Sequence, residues 1–327
     1  MKAIAITKPG GPEVLAVVER PRPEPSRGEV RVRVRATAVN RADLLQRAGF
    51  YPAPAGSPVD IPGLELAGEV SAVGPDCQLL AVGDRVFGLV GGGAYAEELV
   101  VHERALAKIP AGLDFVHAAA VPEAFITAHD AMVTQANLRA GEALLVHAVG
   151  SGVGTAAAQL GRALGAYVIG TARTADKLER AKALGVDHGI VPEGTRFADA
   201  VRAATGGAGA AVTLELVGGA YLDEDIRAAQ LRGRIVLIGL LAGPRAELDL
   251  ATLLHRRVAV LGTQLRARPL EDKIAATRAF EAQVVPLFAR GKLQAVVDKV
   301  MPLDAAAEAH KYVASNAGFG KVVLTIS

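Results

Sequence analysis

Residues His147 to Lys177, HAVGSGVGTAAAQLGRALGAYVIGTARTADK, hold the spacing with the plainest chemical meaning in this chain. An apolar run enters a glycine turn, a small-residue helix follows, and a second apolar run ends at Thr171, Ala172 and Arg173. Backbone amides at a helix start, with the helix dipole behind them, bind a pyrophosphate, and glycine lets the phosphate approach. A literal G-x-G-x-x-A lies at Gly152 to Ala157. That pattern is weak alone; its strand, turn, helix and strand context carries the reading. A second strand ending in Asp or Glu would accept hydrogen bonds from a ribose 2′-hydroxyl and repel a 2′-phosphate. Here Thr171 and Ala172 are neutral, Arg173 offers a planar fork to a phosphate, and Lys177 lies one turn into the next helix. The expected cofactor is therefore NADPH, with Asp176 as the opposing charge. A solvated basic edge at Arg173 and Lys177 is the plain alternative.

A second group of candidates lies in VNRADLLQRAGFYPAPAG. Asn40 can donate from its amide, and Tyr51 combines a hydroxyl donor with a ring that can lie against a planar substrate. Such donors suit an acceptor oxygen that gains charge as it is reduced. Asn40 and Asp43 also have the spacing of an N-cap and an N3 acid, so both could serve only a helix end. Asp43 is assigned to that structural role. Cys77, in GPDCQ, is the single cysteine and has no adjacent base, so it receives no catalytic role. One cysteine also excludes an internal disulfide and a multi-cysteine zinc site.

Positioning such groups needs a large core. At 327 residues and 51% hydrophobic, the chain has enough apolar sequence for two domains. The net charge of +2, scattered basic residues and 4% aromatic content argue against nucleic acid. No apolar run approaches the roughly 20 residues of a membrane helix, and the N-terminus lacks a leader pattern, so the cytoplasm is the expected address. From Met1 to about Pro122, short β runs broken by Gly and Pro predict a barrel-like domain, with a helix in RADLLQRAGF and a proline-rich loop in YPAPAGSPVDIPG. AAAVPEAFITAHDAMV is helical in period. Strands are then expected at 143–148, 167–171, 189–191, 211–216 and 234–238, with helices between them, which implies a parallel doubly wound sheet. Thr174 is the expected N-cap of TADKLERAKALG. From about Thr263 the chain carries a helix, LEDKIAATRAFEAQVVPLFARG, and returns to β runs of the first domain.

Several spaced blocks carry a resemblance over essentially the full length: EVRVRVRATAVNRADLLQRAGFYP, IPGLELAGEVSAVG, VGDRVFGLVGGGAYAEELVV, AAAVPEAFITAHDAM, LLVHAVGSGVGTAAAQLGRALGA, GRIVLIGL and LLHRRVAVLGTQLRAR. The chain resembles the zinc-free quinone oxidoreductases of the medium-chain dehydrogenase/reductase superfamily. NRADLLQRAGFYPAPAG, GSGVGTAA and EAHKYVASNAGFGKVVL resemble most the branch containing the tumour-suppressor-inducible human quinone oxidoreductase. The resemblance implies an α/β chain: a GroES-like β-barrel catalytic domain over 1–123 and 264–327, with a Rossmann NADPH-binding domain inserted over 124–263. It also implies a homodimer whose nucleotide sheets join near RRVAVLGTQ. The family turn A-x-x-S/G-G-V-G is matched by Ala148, Ser151, Gly152, Val153 and Gly154. Thr127, Leu240 and Leu265 match positions along the nicotinamide, and Asn40, Thr171, Arg173, Lys177, Val217 and Gly239 complete the expected cofactor-binding set.

Ser151 is expected either to reach the nicotinamide or phosphate or to close the turn. Arg266 is expected to attract an acceptor oxygen or to form an exposed salt bridge, and Glu65 to be a buried acid of the barrel. A tyrosine that often follows the third strand in the family is missing from VDHGIVPEG, where His188 stands. Zinc-dependent relatives carry a ligand cysteine where this chain has Asn40, and Gly-His-Glu where it has Gly63, Leu64 and Glu65. The seven histidines form no i, i+3 or i, i+4 pair and are read as packed or solvated. No metal is therefore expected, and without a Lewis acid the better substrate is an acceptor that is already electrophilic. The expected activity is hydride transfer from NADPH to a quinone, ortho-quinones included, with Tyr51, Asn40 and Ser151 as catalytic candidates. An enone or enoyl-thioester reductase is the rival in the same class. An NADPH-binding structural or nucleic-acid-binding module with little turnover is the rival from another.

Overall fold

Alternation in EVRVRVRATAV makes Glu29–Val39 the longest strand of the chain, with Val30, Val32 and Val34 turned into a core where none is more than 1% exposed. In this computed structural model all residues from Met1 to Ser327 are described, and they divide into two units, Met1–Ile126 with Leu265–Ser327, and Thr127–Gln264. In the first unit Glu29–Val39 pairs antiparallel with Glu65–Val73, Glu98–His102 and Lys321–Thr325. Arg85–Leu89 and Leu106–Lys108 extend the sheet on one side and Val297–Pro302 on the other. Val30, Val32, Val34, Leu66, Val70, Val86, Leu99 and Leu106 form one apolar cluster. The final strand thus returns to the N-terminal sheet.

The expected helix at RADLLQRAGF spans Arg41–Arg47, and a loop carries Tyr51 beyond it. The segment of helical period near residue 120 is helical but largely of π type, over Pro122–Ile126 and again over Asp130–Gln135. A π turn differs from an α turn in its hydrogen-bond span rather than in which residues are apolar, so the pattern alone does not show it.

In the second unit six parallel strands lie in the order His188–Ile190, Tyr167–Thr171, Ala143–Val146, Ala210–Glu215, Ala229–Leu237, Ala259–Gly262. Every pairing among them is parallel. Numbered within the unit, the order is 3-2-1-4-5-6, the dinucleotide-binding order, which reverses between Ala143–Val146 and Ala210–Glu215. Ligands of such sheets bind at the strand C-termini beside this reversal. Tyr167–Thr171 coincides with the sequence expectation. Ala229–Leu237 begins five residues before the expected Arg234, through a register shift at Ala210/Val212 and a left-handed Arg232 at φ 62°. Ala259–Gly262, within RRVAVLGTQ, is the edge strand and is a sixth strand beyond the five that the pattern predicts. No helix is long and apolar enough to cross a membrane.

Candidate active site

The glycine turn sits where the sheet order reverses. Ala148 adopts φ 46°, a conformation disfavoured for a residue with a Cβ, and such strain collects at functional turns. Ser151 caps the helix Gly152–Ala163, its Oγ accepting from Gly154 N at 3.0 Å, so it closes the turn as one of its two expected roles. The N–H groups of Gly152 and Val153 precede that capped one and are among the donors a helix start leaves for a ligand. A Cβ on Gly154 would lie 2.5 Å from Ala148 O and 2.7 Å from Val149 Cα, so only glycine lets the helix pack this close to the turn. Val149 N donates to Thr171 O at 2.9 Å, tying the turn to the end of the second strand.

At that strand end Arg173 is exposed and Lys177 half-buried. Thr171 is placed otherwise: its side chain is buried and its Oγ1 bonds to His147 Nδ1 at 2.8 Å. Val217 and Gly239 are half-buried just past the ends of Ala210–Glu215 and Ala229–Leu237, and Gly218 needs its φ of 72° there. Thr127 is buried and Leu240 is exposed. Thr174 occupies the N-cap position of Ala175–Lys182 without a side-chain capping bond. His188 is exposed. Arg256 Nη1 donates to Ala229 O at 2.9 Å, within its own unit. The turn, the exposed Arg173 and the reversal point fit a dinucleotide.

In the first unit Asn40 stands at the N-cap of Arg41–Arg47, in a capping-box arrangement with Asp43. Asn40 Nδ2 donates to Glu65 Oε1 at 2.8 Å and to Ala38 O at 3.2 Å, and its Oδ1 accepts from Lys321 Nζ. Both amide hydrogens are engaged inside the protein. This departs from the expected role of Asn40 as a donor to substrate: the buried Glu65 carboxylate takes the hydrogen that role needs. Asp43 does hold the helix end, its Oδ2 accepting from Asn40 N at 2.7 Å, and its Oδ1 also accepts from Gly63 N at 3.0 Å. Burial pushes the Asp43 carboxyl up to about 6, against the backbone donors of Asn40 and Gly63.

Glu65 is fully buried, as expected, and Lys321 Nζ lies 2.6 Å from its Oε1. Glu123 N donates to its Oε2 at 2.8 Å. Glu123 heads the π turn, and burial followed by the charge of Glu65 raises its carboxyl to about 8, so it is mostly neutral at pH 7. No spacing in the chain points to Lys321 or Glu123, which lie far from Asn40 in sequence. Leu64 is 1% exposed and packed in the core. An amide already bonded, a buried leucine and a carboxylate paired with an ammonium do not make a zinc donor set.

Tyr51 is half-buried, with the Arg266 guanidinium 5.0 Å from the centre of its ring. Arg266 makes no exposed salt bridge, and neither expected role is what the structure places there. It is 5% exposed and donates to Gly91 O at 2.8 Å, Tyr51 O at 3.1 Å and Gln46 Oε1 at 2.6 Å. The guanidinium therefore clamps the proline-rich loop to the helix before it. Leu265, next to it, is buried. Cys77 Sγ donates to Glu29 O at 3.2 Å, and burial raises its thiol, as suits a structural cysteine.

Comparison with known proteins bears on these two sites together. A domain family described as alcohol dehydrogenase GroES-like domain matches residues 26–111, and one described as zinc-binding dehydrogenase matches residues 152–282. A quinone oxidoreductase of Pseudomonas aeruginosa is 34% identical over 328 residues, covering 99% of both chains. The chain belongs to the medium-chain dehydrogenase/reductase superfamily. The superfamily architecture, a GroES-like domain with a Rossmann-type parallel sheet, is the one described above. The crystal structure of an Escherichia coli quinone oxidoreductase complexed with NADPH superposes with a TM-score of 0.89 at 29% identity, covering 100% of each chain. The pikromycin polyketide synthase component PikAII of Streptomyces venezuelae is 38% identical over 325 residues, and this chain spans 8% of its length.

Proposed function

We propose that this medium-chain dehydrogenase/reductase is an NADPH-dependent, zinc-independent reductase of quinones, ortho-quinones included. The observation that carries the zinc-independent part is Lys321, whose ammonium lies against Asn40 Oδ1 and Glu65 Oε1. A cation fixed in the chain leaves no reason for these groups to take up a metal ion, and without a Lewis acid the acceptor has to be electrophilic already. When bound, the reduced nicotinamide supplies the hydride. Arg173 and Lys177 hold the 2′-phosphate, and the helix start at Gly152 and Val153 faces the pyrophosphate. Tyr51 donates toward the acceptor oxygen as charge develops there. Asn40 acts through Glu65 and Lys321 as a positioning residue. The full-length quinone oxidoreductase relatives and the neighbour crystallised with NADPH support this reading. We further propose a cytoplasmic homodimer.

The polyketide synthase relatives favour a second reading, reduction of an enone or enoyl thioester. Oxidation of NADPH and NADH by the purified protein, with an ortho-quinone, a para-quinone, a simple enone and an enoyl thioester, separates the two. Faster NADPH consumption with the quinones supports the first reading. Turnover confined to the thioester supports the second, and tight NADPH binding without turnover on any acceptor supports a binding module.

A further inference from the structure

Beneath the glycine turn, in the interior of the parallel sheet, lie three titratable side chains that no sequence motif announced. His147, Glu215 and Asp225 are each 0% exposed, and one donor atom from each lies within 4.8 Å of the others. His147 Nε2 is 2.7 Å from Asp225 Oδ1 and 3.8 Å from Glu215 Oε2. On the other edge of the ring, His147 Nδ1 is 2.8 Å from Thr171 Oγ1. Glu215 Oε1 accepts from Val217 N and, at 2.8 Å, from Gly218 N. Two buried oxygens, Glu215 Oε2 and Asp225 Oδ2, are left without a donor. A buried acceptor without a donor is costly, and one proton between two neighbouring carboxyls removes both vacancies.

One assignment satisfies every atom. Thr171 donates to Nδ1, Nε2–H donates to Asp225, protonated Glu215 donates to Asp225, and the N–H groups of Val217 and Gly218 donate to Glu215. We propose that His147, Asp225 and Glu215 form a buried chain carrying one carboxyl proton, and that this chain positions the cofactor-facing ends of the second and fourth strands of its sheet. Thr171 at one end of the chain precedes Arg173, and Val217 and Gly218 at the other end follow Glu215, so the chain links two segments of the nucleotide site. This inference rests on the nucleotide reading above.

The electrostatics agree in direction. Burial raises Glu215 to about 8 and Asp225 to about 7, and it lowers His147, which keeps the imidazole neutral. The groups facing the cluster are Thr171 from the second strand, Phe197 against the ring, and Tyr221 and Glu224 from the helix Tyr221–Ala228. No cation among them can take over the role of the proton. Above about pH 8 two carboxylates would face each other in the interior, and the Val217–Gly218 turn and Thr171 would lose their fixed positions.

The test is NADPH affinity, read by fluorescence of the bound nucleotide from about pH 6 to about pH 9, for the wild type, Glu215→Gln and Glu215→Leu. Gln keeps an acceptor for Val217 and Gly218 and a donor for Asp225, so it mimics the protonated acid. Wild-type affinity is expected to fall about tenfold from pH 7 to pH 9, as one linked proton allows. Glu215→Gln is expected to bind as tightly as the wild type at pH 7 and to lose the alkaline fall. Glu215→Leu is expected to bind at least about tenfold more weakly at every pH, the scale of two unmade hydrogen bonds. A flat wild-type profile, or an alkaline fall retained by Glu215→Gln, would overturn the proposal. A second arm uses no nucleotide: thermal unfolding of the cofactor-free protein should show the wild type losing stability relative to Glu215→Gln as pH rises through about 8. If that difference is constant with pH, the shared proton is refuted whatever the nucleotide does. Failure of the wild type to bind NADPH while this arm holds would refute the nucleotide reading and the positioning role with it. One equivalent of divalent metal in the purified protein, with stability lost on chelation, would replace the proton by a cation.

Discussion

Lys321 Nζ lies 2.6 Å from Glu65 Oε1, and the two side chains are 5% and 0% exposed. A buried pair of this kind gives little net stability against an apolar pair of the same shape, but removing one partner strands the other charge. Lys321→Met is therefore expected to destabilise the protein by about 3–5 kcal/mol, and Glu65→Gln combined with Lys321→Met by clearly less. Denaturant unfolding of the wild type, both single variants and the double variant measures the coupling. Additive single effects would contradict the pairing.

Arg266 anchors the Tyr51 loop through three acceptors on three segments. Lysine cannot reproduce that fork. Arg266→Lys is expected to raise the KM for the acceptor and to lower kcat/KM by about 10- to 100-fold, the worth of one or two charged hydrogen bonds. NADPH affinity should stay unchanged. Steady-state kinetics with a fluorescence titration of NADPH checks both halves.

Glu123 has its carboxyl raised to about 8 from an ordinary 4.5. A carboxyl whose folded value is raised contributes stability below its unfolded value and loses it as pH rises through the folded one. Between about pH 4.5 and about pH 8 the wild type should therefore lose stability relative to Glu123→Gln, with the largest gap at about pH 9. Thermal unfolding of the two proteins at a series of pH values reads the sign directly. A gap that narrows with rising pH would contradict the assignment.

How much of this was legible in the sequence depends on whether the cause was local. Tyr167–Thr171 coincided with expectation because Gly165 and the helix before it, and Thr174 and the helix after it, bound the strand on both sides. The glycine turn was legible for the same reason, its cap and its close packing lying within seven residues. Ala229–Leu237 starts before the expected 234 because a left-handed Arg232 and a register shift interrupt it, which breaks the alternation along the strand. Arg266 looked exposed because its acceptors, Gly91, Tyr51 and Gln46, come from segments more than 170 residues away. Asn40 was read with the near neighbour Asp43, while its amide answers to Glu65 and Lys321, which only the folded sheet brings beside it. His147 begins the turn after one strand, Glu215 ends another and Asp225 stands on a helix, so no spacing along the chain signals their meeting.

The proposed preference for NADPH rests on the exposed Arg173. Arg173→Ala is expected to weaken NADPH binding by about 10- to 100-fold, the worth of a charged hydrogen bond to phosphate, and to leave NADH binding unchanged. Equal losses for the two nucleotides would assign Arg173 to the common part of the site.

The most direct test of the central claim is the initial rate of NADPH oxidation with an ortho-quinone by protein dialysed against a strong zinc chelator, with NADH run in parallel. The account predicts an undiminished rate after dialysis and a preference for NADPH of at least about tenfold, from the phosphate contacts of Arg173 and Lys177. A rate abolished by dialysis and restored by zinc, or an equal rate with NADH, would contradict it.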